Sequence, residues 1–312
     1  MQSVTVPLML PDDIQRSNEY AFYRKHVDRY IKEELSTSPE VVEKLNQGVE
    51  ELTTWVNGSY YPKKQSRVNV VKGMDLHALA LNIITTTAYI TTPELFTSVT
   101  AKVASRLLFN DKADAILTIA EIMAVLASTD LYDIFKLESK DSLKVRNNIV
   151  FSDKLQQSIA RSQYLPPLVC EPEPVKSNRQ SGDLTHNQSV ILQKENHHDD
   201  PVSLDVINLQ NSTPLTINQE FLSVCKEEPT YELDSIQKQL DWGKYAEDSQ
   251  HVYELLTFQT DVIYFDHAYD KRGRLYPRGY HVSYMSTPYK KAMLDFAEQE
   301  PVDVPEKYRL YE

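Results

Sequence analysis

The sequence predicts a mainly α protein with a small β component (α+β), and three observations lead to that class. Between residues 12 and 137, apolar side chains recur at intervals of three and four, the spacing of a helix face. The same period returns from 204 to 260. Beyond it, Asp261 to Tyr280 changes to short extended runs around a Lys-Arg-Gly turn. The expected organisation is therefore a helical N-terminal domain at 1–137 and a Pro-rich, polar connector with short strands at 138–203. A helical region at 204–260 and a hairpin with its following helix at 261–312 complete it.

Residues 12 to 35 read as one amphipathic helix. Asp12 or Asp13 caps it, and Ile14, Tyr20, Tyr23, Val27, Tyr30 and Ile31 follow the period. Ser38 as N-cap and Pro39 in the first turn open a second helix, which Asn57-Gly58 ends. Residues 58 to 73, with Lys63, Lys64, Arg67 and Lys72, read as a solvated connector. Met74 to Leu137 reads as helical throughout, restarting at Thr92-Pro93 and broken at Asn110-Asp111. The stripe Ile116, Ile119, Ile122, Met123 and Leu126 is expected to face a core and not a partner. Leu143, Val145, Ile149 and Phe151 suggest a short extended pair.

The stretch Tyr164 to Pro174 carries Pro166, Pro167, Pro172 and Pro174, which forbid regular helix and favour a stiff extended segment. Ser177 to Pro201 is polar and reads as a solvated loop. Its His197-His198-Asp199-Asp200 run does not have the spacing of a structural metal site. From Ile207 the pattern is helix, an interruption at Thr213-Pro214, then helix with Ile217, Phe221 and Leu222 inward. Residues 234 to 258 form a further helix that delivers the chain to the hairpin.

Composition narrows the function. With 312 residues, 41% hydrophobic and 25% charged, the chain is expected to be globular and able to build a core. A net charge of −12 argues against a free-standing DNA binder, but allows a basic groove that is local or completed by another chain. Cys170 and Cys225 are the only cysteines and lack metal-ligand spacing, which points to a reducing, intracellular setting. Met1 to Pro11 lacks the basic start and apolar core of a signal peptide. Leu76–Ile90 and Ala113–Ala127 fall short of the roughly 20 residues a bilayer span needs, so no membrane association is expected.

The chemistry concentrates at the predicted hairpin. Val262, Tyr264 and Tyr269 suit a strand on one side, and Leu275 and Tyr276 on the other. Gly273 and Gly279, two of only seven glycines, fall inside it, with Gly273 where a positive φ is needed. Between Asp270 and Lys291 stand Lys271, Arg272, Arg274, Arg278, Lys290 and Lys291 against the single acid Asp270. Tyr276, Tyr280, Tyr284 and Tyr289 alternate with these bases. Cations interleaved with aromatic faces suit a phosphate backbone and its bases. The same composition also describes a solvated charged turn followed by an ordinary amphipathic helix.

Asp270-Lys-Arg-Gly-Arg274 resembles the DxxGR motif of the phage-type and mitochondrial single-subunit RNA polymerases. As in that family, the motif continues into Leu275-Tyr276-Pro277 and then a Lys291-Ala-Met-Leu-Asp-Phe-Ala297 segment in the place of the family's helix. Leu165 to Pro174 is similar to the family's Pro-rich strand, and Ile207 to Leu222 to its Asn-, Thr- and Pro-containing element, with Leu215 where the family has tryptophan. Met285-Ser286 and Pro288 depart from the family's Gln-Gly and Asp. The resemblance spans about residue 160 to 305.

It implies a thumb-like helical region and a hairpin opening a polymerase palm that another chain completes. The family's two metal-binding aspartates and its fingers helix come later than this hairpin, and no residue after 300 resembles them. Hence the resemblance implies no catalytic residue and no metal ligand here, with Mg²⁺ held by a partner subunit. The sequence resembles the N-terminal subunit of the split, two-subunit polymerase of phages of the Schitoviridae group, which would place it in the cytoplasm of the infected bacterial host. Implied partners are the palm-and-fingers subunit, the DNA template and the RNA–DNA hybrid. Need for a single-stranded-DNA-binding or promoter-recruiting accessory protein stays open. Nucleic-acid contacts are expected from Asp270, Arg272, Gly273, Arg274, Tyr276, Arg278 and Lys291, and the partner interface from Met293, Leu294, Phe296 and Tyr308. A non-catalytic nucleic-acid-binding regulator that keeps a polymerase-like hairpin, and an interaction scaffold, are the alternative readings.

Overall fold

A computed structural model describes residues 10–105, 111–136, 142–162 and 164–298. The chain is mainly helical with small sheets, as the periodicity predicts. It divides into two compact units. One, the helical unit, is residues 24–163. The other, the hairpin unit, joins residues 1–23 to residues 164–312. The seams therefore fall at 23/24 and 163/164, and not at the expected residue 137.

The single helix expected over 12–35 is two. α1 (Pro11–Phe22) belongs to the hairpin unit and α2 (Arg24–Thr37) to the helical unit, because Tyr23 between them is extended (φ −75°, ψ 118°). Pro11 opens α1, so neither Asp12 nor Asp13 is its cap; both lie in the first turn, where a carboxylate suits the helix dipole.

In the helical unit, α3 (Pro39–Val56) starts where predicted, with the Ser38 hydroxyl accepting from Val41 N–H at 3.4 Å. The connector at 58–73 is not a loop. Pro62 opens α4 (Pro62–Lys72), whose Arg67 is buried against Thr118 and Glu121. α5 (Leu76–Thr87), α6 (Phe96–Ala104) and α7 (Lys112–Leu126) follow, the last capped by Asp111. The Ile119, Ile122, Met123 and Leu126 stripe lies fully in the core with Ile31, Leu52 and Ile83. Helix does not continue to 137: β1 (Glu94–Leu95), β2 (Tyr132–Lys136) and β3 (Leu143–Asn147) form an antiparallel sheet ordered β1-β3-β2. Tyr132 anchors it, fully buried and donating to Met123 O at 2.6 Å. α8 (Asp153–Arg161), capped by Ser152, closes the unit.

In the hairpin unit, the Pro-rich segment is extended and pairs Leu168 with Tyr264. α9 (Leu204–Asn211) precedes the Thr213-Pro214 interruption, but Leu215–Ile217 is strand β4 where helix was expected. α10 (Gln219–Val224) is short, and α11 (Ile236–Gln259) is the long helix leading to the hairpin. The hairpin is β5 (His267–Tyr269) and β6 (Leu275–Pro277). The expected helix over 291–297 is only α12 (Pro288–Ala292), after which β7 (Leu294–Phe296) pairs antiparallel with β4. Met293 N–H bonds back to Tyr289 O and Met293 O to Asn218 N–H, so helix gives way to sheet at that residue. Among the described residues no helix is long and apolar enough to cross a membrane, and Cys170 and Cys225 are unpaired.

The 177–201 segment is packed, contrary to its polar composition. Asn178, Ser181, Val190 and Ile191 are buried, and Val190 O and Leu192 N–H bond the two sides of Tyr269 at 2.7 and 2.8 Å. It thus lies beside β5 as a third, irregular strand. The His197–Asp200 run serves this packing: Asn178 donates to the carbonyls of His198 and Asp200, and Arg179 pairs with Asp199 at 2.7 Å. Among the described residues no group of metal-ligating side chains comes together.

Candidate nucleic-acid interface

The hairpin begins in a buried polar base. Counting outward from the turn, His267 faces Pro277 and Tyr269 faces Leu275, and one step further Arg278 N–H bonds to Asp266 O at 2.7 Å. The side chains of that outer pair also meet: Arg278 Nε lies 2.8 Å from Asp266 Oδ2. This contact is an ion pair without good hydrogen-bond alignment, since neither atom makes an oriented bond. Asp266 Oδ1 accepts from Gly182 N–H at 2.9 Å and from Asn211 at 3.3 Å. Burial still pushes the Asp266 carboxyl up to about 6, against the opposing pull of Arg278.

His267 is buried and burial lowers it to about 4, so the ring is neutral. Asn211 Oδ1 at 2.8 Å assigns the proton to Nδ1, leaving Nε2 to accept from Tyr284 O–H at 2.6 Å. A rigid network therefore holds the hairpin from beneath. Gly279, just past β6, is required by close approach, because a Cβ there would lie 2.3 Å from Val282 O.

At the far end, one carboxylate organises the turn. Asp270 Oδ1 accepts from the backbone N–H of Arg272 and Arg274 at 2.9 and 3.0 Å, while Oδ2 accepts from Arg274 Nε at 2.9 Å and Arg272 Nε at 3.2 Å. Gly273 adopts φ +77° with open space around it, so it is there for conformation and not for close packing. Desolvation opposes the effect, but the hydrogen bonds from Arg274 hold the Asp270 carboxyl below its ordinary value. The Arg272 and Arg274 side chains stay 63% and 52% exposed while paired. Each has five donors, so sharing one carboxylate leaves donors for a phosphate. Arg274 also lies over the Tyr276 ring at 5.5 Å.

The structure sorts the basic residues into two groups. Lys271, Arg272, Arg274 and Lys291 are exposed. Arg278 is not available in the same way: besides Asp266 it holds Gln188 Oε1 at 2.9 Å and the Ser189 carbonyl. Lys290 is buried, donates to Tyr280 O and lies 5.2 Å from the rings of both Tyr245 and Tyr280. Burial lowers its pKa. The Asp266–Arg278 anchor and the 188–192 segment were not singled out from sequence. Equal counting outward from the turn would have found the anchor; no local signal marks the segment.

The proposed interface residues also separate. Met293 is wholly buried in a core with Leu256, Ile263 and Phe265, because the chain turns inward there between α12 and β7. Leu294 is half-buried opposite Ile217, whereas Phe296 is 65% exposed. Tyr308 lies outside the described residues. No protein-family model and no curated protein matches this chain.

Proposed function

We propose that this chain is the N-terminal, non-catalytic part of a phage-type DNA-directed RNA polymerase, gripping the template strand or RNA–DNA hybrid through the Asp270–Arg274 turn. One observation carries the reading. A single carboxylate holds two exposed arginines side by side on a rigidly based hairpin, within a sequence that resembles DxxGR and its surroundings. In an acidic chain, two pre-positioned arginines supply local phosphate affinity without a generally basic surface.

Catalysis is assigned to a second subunit. The acids near the turn do not fit a Mg²⁺ site, because Asp270 is taken up by two arginines and Asp266 is buried against Arg278. The reading therefore asks of this chain only binding and orientation. Phe296, exposed on the edge strand β7, is the apolar side chain best suited to a partner contact.

Reconstitution tests the whole proposal. Co-expression with a palm-and-fingers partner chain should give a stable heterodimer that makes template-dependent RNA, with Arg274→Ala assembling normally and transcribing poorly. A chain that binds nucleic acid alone at moderate salt and never supports RNA synthesis would favour a regulator instead.

A further inference from the structure

A cleft of about 410 Å³ opens beside the turn, within the hairpin unit. It is lined by the apolar Tyr269, Val202 and Val206 and by the polar Asn196, His198 and Lys271, the last a residue of the turn. The volume lies in the range of roughly 300–1,000 Å³ typical of small-ligand sites, and apolar and polar side chains share the lining. Tyr269 is fixed before any ligand arrives. Its backbone is clamped between Val190 and Leu192, and its hydroxyl donates to Ser203 O at 3.0 Å. The His198 side chain is exposed. Asp270 also borders the cleft, but its charge is already balanced by Arg272 and Arg274.

We propose that this cleft receives one unstacked nucleobase of the strand whose phosphates the turn holds. The inference rests on the nucleic-acid reading of the turn and adds a base-binding subsite to it. Charge and shape argue for this occupant. A bare anion would gain nothing from the valine and tyrosine side chains, and an apolar peptide would gain nothing from Lys271. A nucleotide uses both, with its phosphate at Lys271 and Arg272, its base face against the walls and its polar edge toward Asn196 and His198.

Val206→Trp tests it, since Val206 is exposed on α9 and an indole there fills the cleft without entering the core. Binding of a short single-stranded oligonucleotide to the full chain is compared with that of the same strand made abasic. The intact strand should bind the wild type roughly tenfold more tightly than it binds Val206→Trp, the scale of one lost stacking contact. The abasic strand should bind both proteins equally, and the salt slope of the variant should match that of the wild type, because its phosphate contacts are intact. A bromouracil-containing strand should photocrosslink at Tyr269 or within 196–206. Equal binding of the intact strand to both proteins overturns the subsite while leaving the turn's role standing. Failure of the wild type to bind any strand at low salt overturns both.

Discussion

Two basic clusters looked alike in the sequence, and their arginines have opposite fates in the fold. One is Lys63, Lys64, Arg67 and Lys72 in α4; the other is Lys271, Arg272 and Arg274 at the hairpin turn. In α4, Arg67 keeps only 6% side-chain exposure, bonding Glu121 at 2.8 Å and Thr118 at 3.0 Å, with Lys64 joining Glu121 at 2.6 Å. At the turn, Asp270 binds both arginines yet leaves them mostly in solvent. In the first cluster the acid on a neighbouring helix draws the cation into the core. In the second the acid is local, part of the turn itself, and so presents the cations outward. Where the neutralising carboxylate comes from decides whether a basic cluster is structure or surface.

The contrast can be broken by mutation, and the largest effects belong to the buried pairs. Glu121→Ala should destabilise the helical unit by about 3 kcal/mol, the lower end for breaking a buried ion pair, because Asp114 Oδ1 still lies 4.0 Å from Arg67 Nε. Urea titration measures this, and oligonucleotide binding by the folded variant should not change. Arg278→Ala should weaken the hairpin unit by about 3 kcal/mol at neutral pH, since Asp266 is left buried without its counter-ion. The folded value of Asp266 already lies above the unfolded one, so its ionised form costs stability as pH rises from about 4 through about 6. The deficit of Arg278→Ala should accordingly be smaller at pH 5 than at pH 8. Equal deficits at both would remove Asp266 as the cause.

A smaller effect comes from the contact that ties α1 to the packed 181–188 loop. His186 lies between Asp183 at 3.2 Å and Glu19 at 3.6 Å, stacked on Tyr23. Burial opposes its charge, but the two carboxylates prevail and raise it to about 8. Its folded value exceeds the unfolded one, so its contribution of about 2 kcal/mol is complete below pH 6.5 and lost as pH rises through about 8. Glu19 is lowered to about 2 despite burial, so its share is complete above pH 4.5 and lost below it. Thermal unfolding against pH should show the alkaline loss in the wild type and its disappearance in His186→Gln. Smallest is Gly273→Ala, about 1 kcal/mol of local strain from a positive φ, visible as weaker oligonucleotide binding with little change in global stability.

What the sequence made legible follows the same physics. α3 was legible because Ser38 and Pro39 act locally, and the turn because Gly273 and Asp270 do. The break at Tyr23 was hidden, since no glycine or proline marks it and the apolar period runs through it; which unit each half joins is a long-range matter. β4 and β7 were missed because three residues cannot display an alternation, and their pairing, like that of Leu215 with Ile263, is long-range. α4 had a signal, Tyr61-Pro62, outweighed by its polar composition. The 177–201 segment misled most, because its burial is achieved by a side-chain amide donating to carbonyls and a hydroxyl accepting from a backbone N–H, which composition reads as solvation. At the site, the sequence indicated the residues of the turn but not that Arg278, equally basic on paper, is tied to Asp266 at its base, or that Lys290 is buried against Tyr245 and Tyr280.

The central claim is that the turn's arginines meet phosphate, and the salt dependence of single-strand binding tests it most directly. If Arg272 and Arg274 each neutralise a phosphate, then log K against log salt should flatten by roughly 0.7 for each arginine changed to alanine, and by about twice that for both. A double variant that keeps the wild-type slope while remaining folded would contradict the account.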